Sequence, residues 1–326
     1  MSLETLDDVR AVAARLRDRM RHDVIGRDEI IELVLIALFA DGHVLLEDYP
    51  GSGKTTLAKA LGHAFVEESD QGGVATFRRV QFTPDLLPSD VTGVTVFDPT
   101  SNTFSFRRGP VFASVVLVDE INRTSPKVQS ALLEAMAEKQ VTVDNVSHRL
   151  DELFFVIATQ NPLDAVGTYP LPLAQLDRFL FKLTMKHIDA ASELRVLETW
   201  GHPRTVMELP RVHRTEVLGA RRVLREKVAV SKAVHQCLVD IATALRDPKR
   251  TRQGVSTRSL VQAVPALQTR ALLHGRDFVS SEDLEALAHP LFAHRLELMP
   301  GVQGELLIKD SLKGAIEKLS RSTLAA

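Results

Sequence analysis

Two short apolar runs, each ending in an unusual polar cluster, constrain this chain of 326 residues more than its composition does. The first, Val44 to Glu47, leads straight into DYPGSGKTT at 48–56. The second, VVLV at 115–118, stops at two adjacent carboxylates, Asp119 and Glu120. Apolar runs of this length bounded by turn residues suit strands covered on both faces of a parallel sheet. The glycine-rich loop supplies the reason for the carboxylate pair. Gly51 and Gly53 permit φ > 0 turns and close backbone approach, by which successive N–H groups wrap phosphate oxygens. Lys54 places a cation on the outer phosphates. Thr55 and Thr56 open the next helix, whose N-terminus adds positive potential, and the Thr55 hydroxyl can ligate Mg2+. Pro50 and Ser52 belong to the same cofactor-binding loop. The strict pattern has Gly five residues before Gly53, where this chain has Asp48, and taken alone the segment could be a plain strand-to-helix turn.

Two anions side by side repel unless a cation or a reacting proton separates their tasks. Asp119 is therefore expected to hold the metal, through water, while Glu120 orients and deprotonates an attacking water. The pattern predicts a nucleoside triphosphate hydrolase with Thr55 and Asp119 as metal ligands and with Lys54 and Glu120 in catalytic roles.

Composition agrees with a globular chain: 44% of residues are hydrophobic and the formal net charge is −2. That balance gives no electrostatic footprint for duplex DNA. The longest apolar stretch, Ile30 to Ala40, carries Glu32 and is shorter than the roughly 20 residues a spanning helix needs. Three acids and Arg10 stand in MSLETLDDVR where a signal peptide would be apolar, so a cytoplasmic protein is expected. Cys237 is the only cysteine, which excludes an intrachain disulfide and favours a buried packing role.

Along the chain, helices are predicted near 5–20 and around Ile30 to Leu38, stopped by Asp41-Gly42, and from Thr55 to about Glu67. Strands are expected at 76–81, 115–118, 154–159 and 179–184. Val94 to Phe106, broken by DPTSN, and Val141 to Leu150 predict two inserted hairpins. From Ala190 onward the pattern is helical, near 190–200, 213–226, 231–246, 257–274 and 281–288, with Ser231 and Ser281 as N-caps. The division expected is an α/β core over 1–186, its parallel sheet lying between helices, and an all-α domain over 187–326.

The segments RVQFTPDLLPSDVTG (79–93), DEINRTSPKVQSALLEAMAEKQVTV (119–143) and ATQNPLDAVGTYPLPLAQLDRF (158–179) closely resemble the MoxR family of AAA+ ATPases. The resemblance implies a P-loop core followed by a small helical lid, with ATP and Mg2+ as cofactors. It puts Asn161 at the sensor 1 position, near the γ-phosphate or lytic water, though an Asn-Pro turn would look the same. Arg178 falls on the arginine finger that reaches the nucleotide of an adjacent subunit; pairing with Asp177 is the alternative. Arg258, where Thr257 replaces the family's Pro, falls on sensor 2 and would couple γ-phosphate contact to lid closure. Ile25 and Gly26 would line the adenine pocket. Arg123 could reach between subunits or form a salt bridge near the site. Leu173 and Val166 replace common acids away from the chemistry.

The family further implies a hexameric ring that remodels a protein client, often beside a separate chain carrying a von Willebrand factor A domain. A nucleotide-dependent binding switch and a DNA-translocating motor are the alternatives. The hairpins, with Phe97, Phe104 and Phe106, are candidate client contacts facing a pore, although alternating aromatics also pack within their own hairpin.

Overall fold

The computed structural model describes residues 3–48, 52–66, 74–161, 167–199 and 209–324. Helices α1 (Leu6–Asp23) and α2 (Asp28–Phe39) lead into β1 (Val44–Asp48) and α3 (Lys54–His63). Then come β2 (Ala75–Gln81), α4 (Pro88–Thr92), β3 (Gly93–Asp98), β4 (Thr103–Arg108), β5 (Ala113–Asp119) and α5 (Pro126–Glu138). A second hairpin, β6 (Gln140–Val143) and β7 (Val146–Arg149), precedes β8 (Phe155–Gln160), α6 (Leu173–Leu176) and β9 (Phe181–Met185). The C-terminal part holds α7 (Ala190–Thr199), α8 (Arg214–Lys227), α9 (Lys232–Ala244), β10 (Thr251–Gln253), α10 (Thr257–Leu273), α11 (Ser281–Phe292), β11 (Glu297–Leu298) and α12 (Gly304–Leu324).

The central sheet has five strands in the order β2-β5-β8-β1-β9, and each neighbouring pair is parallel. Its side chains alternate between two cores, as the period-2 geometry of a strand requires. Val44, Leu46, Val115, Leu117, Phe155 and Ile157 join the core shared with α1, α2, α3 and the C-terminal helices. Leu45, Val116, Val118, Val156 and Ala158 join the core beneath α5. Every residue of β5 is buried, which accounts for its unbroken apolarity.

Local signals set most boundaries. Thr5 and Asp8 form a capping box at the start of α1. Asp41, at φ 59°, takes the left-handed turn that stops α2. Asp144 and Asn145 are left-handed together, the turn that a two-residue hairpin favours. Several expectations need correction. Helix α3 ends at His63, short of Glu67, because Val212 draws the chain away: Val212 N–H donates to the Ala64 carbonyl and Val66 N–H to that of Val212. Ser280, not Ser281, caps α11, and the helix runs through Pro290 to Phe292. Helix α12 was absent from the expected set, although Leu307, Ile308 and Ala315 are buried at helical spacing. Cys237 is buried as anticipated; burial, then Asp240, pushes its thiol up to about 11.

Candidate functional site at the C-terminal edge of the sheet

Parallel strands bring their C-terminal ends to one edge, and the sequence motifs collect there. Asp119 is level with Gln81 in register, Val118 with Ala158, and Glu47 with Gln160. Asn161 follows β8 directly, so it shares that edge with Asp119 and Glu120.

Beyond β1, Gly53 caps α3 at φ 94° with no side-chain hydrogen bond of its own. A Cβ at Gly53 would meet nothing within 4 Å, so it is the backbone angle that demands glycine. Intrahelical bonding resumes with Leu57 N–H donating to the Gly53 carbonyl. The preceding N–H groups are the ones a helix leaves for a cap or an anion. Lys54 and Thr55 are half-buried and Thr56 is exposed. Pro50 and Gly51 lie outside the described residues. Ser52 Oγ is shielded from solvent with no hydrogen-bond partner among them.

Sequence reasoning missed Arg27, which braces this loop from the α1–α2 junction. It donates Nη2 to the Ser52 carbonyl at 3.2 Å and Nη1 to the Lys186 carbonyl. Gly26 beside it has φ 70°, and a Cβ there would stand 2.5 Å from Ser192 Oγ, so only glycine allows α7 to approach this closely. Between these elements lies a cavity of about 320 Å³ lined by Arg27, Ser52, His187, Ile188, Glu193, Val196 and Leu197.

The carboxylates occupy distinct environments. Asp119 is 5% exposed and accepts from Arg79 Nε at 2.6 Å and from the Thr159 hydroxyl at 3.5 Å. Glu120 has a left-handed backbone, φ 58° and ψ 52°, fixed by its N–H donating to Thr159 Oγ at 2.9 Å. Its carboxylate accepts from Gln81 Nε2 at 2.7 Å and pairs with Arg123 Nε at 3.3 Å. Within the chain, then, Arg123 forms the salt bridge that was one of its two expected roles. Arg79, Gln81 and Thr159 lie inside the segments that carry the family resemblance, but no role was assigned to them; the strand order β2-β5-β8 makes them neighbours of the carboxylates.

Arg178 and Arg258 are not brought to this edge. Arg178 precedes β9, and two residues later Leu180 N–H donates to the carbonyl of His43, immediately before β1. Both points lie at the N-terminal edge of the sheet, a strand length of about 15 Å from the phosphate loop. Arg178 Nη1 donates to the Leu133 carbonyl at 2.8 Å. Arg258 is exposed in the first turn of α10, which is tied to Asp177 by the Ser256 and Ser259 hydroxyls, each at 2.9 Å. Arg258 is thus carried by the helix bound to Asp177, at the edge of the sheet away from the phosphate loop of its own chain.

Residues 43–181 match the family model of the ATPase family associated with various cellular activities, and residues 243–310 match an AAA lid domain. The YeaC protein of Bacillus subtilis is 40% identical, covering 98% of each chain. Chaperone MoxR1 of Mycobacterium tuberculosis is 35% identical over 84% of this chain and 73% of its own, and the MoxR protein of Methylorubrum extorquens 31% over 90% of each. A solved candidate ATPase from Cytophaga hutchinsonii superposes with a TM-score of 0.83 at 33% identity, covering 94% of each chain. The fold is thus that of an AAA ATPase core with a helical lid. The chain belongs to the MoxR family of AAA+ ATPases.

Proposed function

We propose that this chain is a Mg2+-dependent ATPase that assembles head to tail into a ring, hexameric in number, and spends hydrolysis on remodelling a protein client. Its working parts are a core over 1–186 and a lid over 187–326. The observation that carries this reading is the separation of the two halves of the site: Lys54, Thr55, Asp119, Glu120 and Asn161 at one edge of the sheet, Arg178 and Arg258 at the other. A guanidinium on the far edge can complete a triphosphate site only on another copy.

The near edge suits nucleotide and metal. Gly53 opens the cradle, the first N–H groups of α3 face the loop, and the orphaned Ser52 hydroxyl wants an acceptor. Thr55 and Asp119 are hard oxygen donors appropriate to Mg2+, which keeps several waters and substrate phosphates rather than an all-protein cage. When bound, the metal neutralises charge on the outer phosphates. Lys54 holds those phosphates, while Ile25, Gly26 and the cavity against α7 receive the base. Glu120 takes the proton from water, and Asn161, able to donate and accept at once, keeps that water in line. Arg178 of the next copy spreads its planar charge over the transferred group.

The carboxylate of Glu120 is engaged by Gln81 and Arg123, so turnover requires Gln81 to let go. Client contact falls to the tip of the first hairpin, where Phe97 and Phe104 pair at 5.1 Å while remaining 45% and 74% exposed. A separate chain with a von Willebrand factor A domain fits the same scheme.

Phosphate release measured against protein concentration tests the reading. Specific activity should rise steeply as copies associate, and Arg178→Ala should lower it by about 10³-fold or more at any concentration. Concentration-independent release from monomers that is unaffected by Arg178→Ala would overturn it, and no release above a Glu120→Gln control would leave a nucleotide-dependent switch.

A further inference from the structure

We infer that Arg295 is a positioning residue for Arg178: carried by the lid, its guanidinium fixes the segment Asp177–Leu180 and so sets the direction in which Arg178 leaves the chain. The inference rests on the reading of Arg178 as a group serving a neighbouring copy.

Arg295 closes the short turn after α11, and its side chain is only 1% exposed. Desolvating a guanidinium is costly and is tolerated where every donor finds an acceptor. Here the acceptors lie on both sides of Arg178. Nε donates to Asp177 Oδ1 at 2.8 Å, Nη2 to the Phe179 carbonyl at 2.8 Å, and Nη1 to the Leu180 carbonyl at 3.2 Å. Gln262 Oε1 at 2.9 Å and the Leu291 carbonyl, both on lid helices, take the remainder. His294 Nε2 adds a second donor to the Phe179 carbonyl at 3.1 Å.

The same contacts settle the rival partner of Arg178. Asp177 accepts from Arg295, Ser256 and Ser259, which occupy both of its oxygens. No carboxylate pairs with Arg178 among the described residues; its contact is the Leu133 carbonyl. A buried cation from the lid thereby neutralises the one acid that would otherwise hold Arg178 down. Rotation of the lid in one copy would be felt in the pocket of the next, because the backbone bearing Arg178 is bonded to the lid.

The test uses subunit mixing. Arg295→Gln alone should lower kcat for phosphate release by about 100-fold, the cost of misplacing a catalytic group by about 1 Å, with binding of a fluorescent ATP analogue unchanged. Mixed with Glu120→Gln subunits, whose own pockets are dead but whose Arg178 and Arg295 are intact, it should regain turnover. Arg178→Ala is the reference and should behave alike. Recovery of Arg178→Ala without recovery of folded Arg295→Gln would overturn the inference. Failure of Arg178→Ala to recover would instead sink the reading on which the inference rests. If melting curves show that Arg295→Gln does not fold, the milder Ser256→Ala/Ser259→Ala chain decides. It should lose about tenfold in kcat, part of the full misplacement cost, and recover on mixing; unchanged turnover would overturn the inference.

Discussion

Glu120 occupies a backbone region that costs a non-glycine residue on the order of 1–3 kcal/mol, and the Thr159 hydroxyl on its N–H helps hold it there. The strained turn directs the carboxylate past the end of β5, where Gln81 and Arg123 receive it. A hydrogen bond to a charged group contributes about 1.5–3 kcal/mol where it is shielded and less at an exposed contact such as this one, so Gln81→Ala should raise basal phosphate release severalfold, up to about tenfold. A fall in that rate would show that Gln81 supports the chemistry instead of restraining it. The acid itself was legible in the sequence, because an apolar strand ending in two carboxylates needs an explanation. Its restraint was not: Gln81 and Thr159 lie 39 residues away on either side and meet Glu120 only through the strand order.

Among the elements, the three hairpin phenylalanines, expected either to face a pore or to pack within their own hairpin, divide between different contacts. Phe106 stacks on His148 of the second hairpin at 3.8 Å and meets Phe112 edge-on, so it joins the hairpins to each other. Alternation along β4 showed that Phe104 and Phe106 share a face but not that a second hairpin covers half of it. On the proposed function, the Phe97–Phe104 pair is the part of the hairpins left for contact with a client. Phe104→Ala should abolish client remodelling while changing basal ATPase less than about twofold, since exposed substitutions cost little stability; equal loss of both activities would assign the pair to folding. A third element junction is sensitive to acid. His43 accepts from Val156 N–H at 3.0 Å and donates to the Met136 carbonyl, tying β1 to β8 and α5. Burial holds its imidazole down to about 4. In the unfolded chain it takes up a proton below about 6.5, while the folded chain resists until about 4, so stability is complete above that upper value and falls as pH drops between the two. The full loss is about 3 kcal/mol, about 2 of it by pH 5. Denaturant unfolding at pH 7 and pH 5 should show a difference at least this large, because burial holds the His294 imidazole well below its ordinary value too, and His43→Asn, less stable at pH 7, should show a smaller one.

At the scale of the molecule, the core sheet and its order of helices were legible because buried parallel strands write themselves as unbroken apolar runs between turn residues. The C-terminal helices were harder. Helix α12 presents a mixed surface with Leu306 exposed beside the buried Leu307 and Ile308, and α11 continues through Pro290 beyond the predicted end near 288. Hardest to foresee was where the lid arginines would go, since the Ser256 and Ser259 contacts to Asp177 span about 80 positions of sequence. If Arg178 serves a neighbouring copy, as proposed, that placement limits the symmetry open to the protein. A two-fold pair must bring the same patch of each partner together, and no single patch here holds both the donor and the receiver of Arg178. On the proposed reading of Arg178, productive assembly is one-handed: each copy gives on one flank and takes on the other, and any closed circle of them has a sense of rotation written into every member.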